Sequence, residues 1–128
     1  AELEGGTHAF SDPDSNSGWL VTASDLARMG QRPETIFQRT LFTYEHRNVV
    51  RAVAGGLTRS GSVDGYVWEA LARVEPGLTA RTRVISQSEQ LGLPPLRRAP
   101  RTHGRRGHRR AARGPSLAVR HCAGPGRA

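Results

Sequence analysis

Three times in succession the chain passes from a strand-type segment through a short polar turn into a stretch with helical apolar spacing. No other feature limits the fold as much. Ala9-Phe10 leads through Asp12-Pro13 and Ser15-Asn16-Ser17-Gly18 to a stripe of Trp19, Leu20, Ala23, Leu26 and Ala27, with Ser24, Asp25 and Arg28 facing water and Gly30 as a stop. After a loop from Gln31 to Thr35 broken by Pro33, Thr40-Leu41-Phe42-Thr43-Tyr44 leads through Glu45-His46-Arg47-Asn48 to a helix carrying Val49, Val50, Val53 and Leu57, which ends near Gly55-Gly56. Ser62-Val63-Asp64 leads directly to Tyr66-Val67-Trp68-Glu69-Ala70-Leu71-Ala72, stopped near Pro76-Gly77, and Arg81 to Ser86 adds a fourth strand. Such alternation predicts an α/β fold with a largely parallel sheet and right-handed crossovers. Ligands in such sheets bind at the carboxyl ends of the strands, where Ser15 to Ser17, His46 and Asp64 would meet.

The first turn carries its own chemistry. Ser15, Asn16 and Ser17 are helix-capping residue types, and the first-turn N–H groups of a helix lack intrahelical partners. A tetrahedral oxyanion there meets hydroxyl, amide and backbone donors at the positive end of the helix dipole, and Gly18 allows close backbone approach. An ordinary cap is the competing reading. Trp19 is read as a core residue rather than a ligand platform.

The formal charge of +8 on 128 residues ordinarily points to nucleic acid or an anionic surface. The average hides a division. Residues 1–95 hold nine arginines and eleven acids, a net −2, whereas residues 96–128 hold ten arginines and no acid. All nineteen basic residues are arginine, which suggests a coding sequence rich in G and C. The single Cys122 excludes an intramolecular disulfide, and no transmembrane run, apolar h-region or initiating Met is present, so the chain is expected to be a fragment or processed piece.

The run Phe10-Ser11-Asp12-Pro13-Asp14-Ser15-Asn16-Ser17-Gly18-Trp19-Leu20-Val21, the block Glu45-His46-Arg47-Asn48 and the block Val63-Asp64-Gly65-Tyr66-Val67-Trp68-Glu69 resemble the phosphate/phosphite/phosphonate substrate-binding proteins of ABC transporters, in order and spacing, from about Leu3 to Pro95. The resemblance implies a type II periplasmic-binding-protein fold, of which residues 1–96 are most of the second α/β lobe. It also implies a small oxyanion ligand, an ABC permease as partner, contact with the membrane only through that transporter, a periplasmic location and no catalysis. His46 becomes a donor to an anionic oxygen, favoured by protonation, with an exposed histidine near a helix start as the alternative. Asp64 falls beside the interlobe cleft, to orient a cationic substituent or accept from a protonated phosphonate or phosphite, with an N-cap as the alternative. Tyr66 rims the cleft. Ser15, Asn16, Ser17, Gly18, His46, Asp64 and Tyr66 are therefore the expected ligand residues; no catalytic residue, metal or cofactor is expected. Asn16 stands where the family commonly has Thr.

Residues 97–128 leave the pattern. Their Arg, Ala, Gly and Pro predict a disordered basic tail, consistent with a shifted reading frame. The alternative function is nucleic-acid binding by that tail, although it lacks aromatic stacking platforms, and His103, His108, His121 and Cys122 are too irregular for a zinc site. An enzyme using Ser15 or Ser17 as nucleophile and His46 as base is disfavoured: the turn lacks Gly-x-Ser-x-Gly, and no acid is placed to orient His46.

Overall fold

The computed structural model describes residues 4–92 and 113–121. Strand β1 (Thr7–Phe10) is followed by a single π-helical turn (Asn16–Leu20) that runs into α1 (Val21–Arg28). Next come α2 (Pro33–Ile36), β2 (Arg39–Phe42), α3 (His46–Ala54), β3 (Ser60–Asp64), α4 (Gly65–Val74), α5 (Pro76–Thr79), β4 (Thr82–Gly92) and β5 (Arg113–His121). The strands form one sheet in the order β2-β1-β3-β5-β4. β1 pairs in parallel with β2 and with β3, while β5 runs antiparallel to both β3 and β4. The α/β expectation holds, with its parallel character concentrated in the three strands that each lead into a helix.

Packing explains why β1 and β3 are central. β3 is buried along its whole length, and Ala9 and Phe10 of β1 are fully buried. On one side Val49, Val50 and Val53 of α3 join Ala9, Val63, Leu71 and Val119 in one apolar cluster. Each fully buried valine contributes on the order of 1.5 kcal/mol. Gly61 makes this approach possible, because a Cβ there would lie 2.4 Å from Val49 Cγ1. A second cluster unites Phe10, Leu26, Ile36 and Phe37 with Trp19 and Phe42, and Trp19 meets Phe10 edge-on at 4.6 Å. Trp19 is a packing residue, as the sequence suggested.

Several local expectations change. Pro33 opens α2 instead of merely breaking a loop, since its fixed φ and missing N–H suit a first helical position. Leu57 lies beyond the end of α3 and is exposed, because the chain turns away at Gly55 and Gly56, the latter with φ +76. Leu20 and Ala27 are exposed, since the wide π turn shifts the helical register set by even 3.6-residue spacing. Within the stretch expected to be a disordered tail, Arg113–His121 forms β5 between β3 and β4. Val119 is fully buried against the first cluster, so a short apolar segment outweighs the arginine-rich surroundings that dominated the composition. The rest of residues 97–128, including Cys122, lies outside the described residues.

Candidate functional site

The chain leaves β1 at Phe10 and turns sharply. The Asp14 N–H donates to Asp12 Oδ1 at 2.8 Å and the Ser15 N–H to the Asp12 carbonyl at 3.0 Å. Ser15 has extended backbone angles and caps the helical run, its Oγ accepting from the Gly18 N–H at 3.0 Å. Gly18 is fixed by space: an added Cβ would sit 1.7 Å from Ser11 Oγ and 2.9 Å from Ser15 Oγ. Ser11 Oγ is buried there without a hydrogen-bond partner. Two serine hydroxyls and a glycine N–H are thus packed at the start of one helix. Nothing in the sequence singled out Ser11, because its role depends on the Gly18 backbone seven residues later.

The second and third turns are joined to each other. Phe42 pairs with Phe10, so β2 ends beside β1, and Thr43 fastens the connection by donating from its N–H to the Phe10 carbonyl at 2.9 Å and from Oγ1 to the Glu45 carbonyl at 2.9 Å. Tyr44 follows with φ 61, the left-handed region that a side chain rarely occupies, and is exposed. His46 then begins α3, and its Nδ1 accepts from the Asp64 N–H at 3.1 Å. Asp64 Oδ1 in turn accepts from the Tyr66 N–H at 2.8 Å and caps α4. The capping reading of Asp64 is realised, and a second carboxylate oxygen remains for other use. Tyr66 stands exposed at the start of α4.

The expectation that protonated His46 favours an anion needs correction. Burial holds its pKa below the ordinary value of 6.5 and outweighs the opposing pull of the Asp64 carboxylate. An Nδ1 that accepts from a backbone N–H also carries no proton. The neighbouring Arg47 is not a substitute cation, because its guanidinium pairs with Glu75.

His46, Asp64 and Tyr66 thus form one bonded group, and Ser15 and Gly18 another. The two lie on adjacent strand ends and are tied by the hydrogen bond between Thr22 of α1 and Ser62 of β3, 2.6 Å between oxygens. Ser17 is half-buried within the π turn. Asn16 is exposed and looks elsewhere, into a groove of about 530 Å³ between the helical run and β4 that is also lined by Leu20, Ser24 and Gln87.

Beneath the site lies a polar cluster that sequence reading missed. His8, fully buried in β1, meets Ser60 Oγ through Nδ1 at 2.7 Å and Ser62 Oγ through Nε2 at 2.9 Å, and its ring stacks on Phe37 at 4.2 Å. Burial lowers its pKa from 6.5 to about 3. The available signal was serine at alternate positions, Ser60 and Ser62, on an otherwise closely packed strand facing His8.

Among the described residues no group of three or more His, Cys, Asp or Glu side chains is arranged to hold a metal ion, and no helix is long and apolar enough to cross a membrane. What the edge offers is neutral donors together with the carboxylates of Asp12, Asp14, Glu45 and Asp64. A family model described as ABC transporter, phosphonate, periplasmic substrate-binding protein matches residues 1–105, which extends past Leu96. No curated protein matches the chain.

Proposed function

The chain belongs to the periplasmic substrate-binding proteins of phosphonate ABC transporters, and from that premise we propose that it takes a phosphonate, phosphite or phosphate oxyanion at the carboxyl edge of β1, β2 and β3 for delivery to an ABC permease. The family's part in transport is capture outside the cytoplasm, without turnover.

The observation that carries this reading is the polarity of the hydrogen bonds at that edge. Ser15 Oγ accepts from the Gly18 N–H with one lone pair, and its hydroxyl proton remains to be donated outward. Asp64 likewise holds the α4 cap with one oxygen. The Ser15 hydroxyl thereby presents a donor, as an oxyanion requires, whereas the remaining Asp64 oxygen is an acceptor that calls for a proton or a cation on the ligand. Preorganised dipoles of this kind hold an anion without a lysine or arginine in contact. The second Asp64 oxygen suits a cationic substituent or a P–OH proton, and the Tyr66 ring suits the rim. Ser17 and Gly18 complete the proposed contact set, while Asn16 faces the groove beside β4 instead.

Affinity in this family comes from two lobes closing on the ligand, so the single lobe binds weakly and calls for a method sensitive to weak binding. NMR-detected titration of the ¹⁵N-labelled chain with methylphosphonate, phosphite and phosphate is expected to move the amide signals of Gly18, His46, Asp64 and Tyr66 together, with the response lost in Ser15→Ala and His46→Ala. Saturable shifts elsewhere with those four unmoved would remove the proposed site.

A further inference from the structure

The geometry assigns to His46 a single tautomer, and we propose that it meets the ligand as a neutral imidazole donating from Nε2, with Nδ1 held by the Asp64 backbone N–H. The proposal rests on the oxyanion reading above and goes one step further, because it fixes the direction of that contact: the ligand oxygen opposite His46 must accept, presenting a lone pair to Nε2.

The direction of one hydrogen bond determines the tautomer. A backbone N–H can only donate, so Nδ1, 3.1 Å from the Asp64 nitrogen, must present its lone pair. A neutral imidazole carries one proton, which then resides on Nε2 across the ring. Nε2 makes no hydrogen bond to any described residue, and His46 is half-buried at the start of α3. A protonated ring would set an N–H against the Asp64 N–H and break this bond.

The charged group that bears on the ring opposes this assignment, and burial outweighs it. From β3 and α4 the Asp64 carboxylate bears on it, pulling toward protonation, and burial prevails over that pull. On its own helix the neighbours are Glu45 and Arg47, and Arg47 is engaged by Glu75 from the α4–α5 junction. Asp64 therefore has two separate duties: its N–H orients His46 and one oxygen caps α4. Occupying Nε2 with an acceptor polarises the imidazole and strengthens the Asp64 N–H bond at Nδ1, so ligand arrival is felt at the first turn of α4.

The test is two-dimensional ¹H–¹⁵N NMR of the imidazole nitrogens in the ¹⁵N-labelled chain at pH 7, alone and with methylphosphonate or phosphate. The expected result is a pyridine-like Nδ1 and a pyrrole-like Nε2 in the free chain, with either probe shifting Nε2 while Nδ1 stays pyridine-like. His46→Gln, which carries a neutral amide donor to the Nε2 position, is expected to keep the probe affinity within about threefold, whereas His46→Asn, reaching only as far as Nδ1, loses about tenfold or more. An imidazolium, or a proton on Nδ1, with a normal response to the probes overturns this proposal and leaves the oxyanion reading standing. No response to either probe, with the tautomer as assigned, overturns the oxyanion reading and the ligand half of the proposal with it.

Discussion

His8 and His46 divide the molecule into a closed region and an open one. Both rings are desolvated, and both are held below the ordinary histidine pKa by burial. In the core, His8 has a serine hydroxyl on each nitrogen and an aromatic ring against its face, so its bonding capacity is used up. At the edge, His46 is satisfied on one nitrogen only. The two differ not in residue type or charge but in whether the fold completes the ring's hydrogen bonding or leaves one position for something else. A histidine of the first kind stabilises, and one of the second kind keeps a nitrogen for the proposed ligand.

Acid is expected to separate them most widely. Because His8 has a folded pKa of about 3 against 6.5, its contribution is complete above about pH 6.5 and is lost as pH falls toward 3, when the unfolded chain binds a proton that the folded chain refuses. The slope approaches 1.4 kcal/mol per pH unit and totals about 4 to 5 kcal/mol. Urea unfolding between pH 7 and 4.5, largely above the carboxylate range, measures it, and a flat profile would break the comparison. His8→Ala is next, at about 3 kcal/mol of lost stability, from the emptied space against Phe37 and two buried serine hydroxyls without their partner. The same variant is expected to flatten the pH profile and, where it remains folded, to leave the ligand response at Tyr66 in place.

His46→Ala should invert that pattern. Probe binding is expected to fall about tenfold or more, while urea unfolding changes by less than about 1 kcal/mol, since removing the half-buried His46 ring opens the Asp64 N–H to water. The smallest effect is expected at Tyr44. Its left-handed backbone is a strain held beside the site, and Tyr44→Gly is expected to raise stability by about 0.5 to 1 kcal/mol in the same unfolding assay. A loss instead would mean that the Tyr44 ring contributes more than its backbone costs.

These contrasts also mark what could be read from residue order alone. Ser15, Gly18, His46 and Asp64 were legible because a strand end, a polar turn and an apolar periodicity follow one another locally, and capping chemistry acts over three or four residues. The Asp64 cap and the packing role of Trp19 follow from the same short-range logic. His8 was not legible, since its partners Ser60 and Ser62 come from a strand more than fifty positions away and only parallel pairing brings them to its two nitrogens. The charge of His46 was misjudged for a related reason: burial decides it, and burial at a helix start depends on packing from elements distant in the chain. β5 was hidden by composition, because arginine and glycine dominate its neighbourhood and Val119 reveals itself only by what it packs against.

The strand order has one further consequence, in time rather than space. β2, β1 and β3 with α1 and α3 can close on one another once the chain has been made as far as Asp64, whereas β4, among the described residues, has no sheet partner until Arg113–His121 emerges. The edge that carries the proposed ligand residues is therefore free to assemble first, and the antiparallel margin joins by a later, longer-range closure whose entropy slows it. Unfolding should retrace that path, with amide exchange in β4 and β5 running ahead of exchange in β1 and β3.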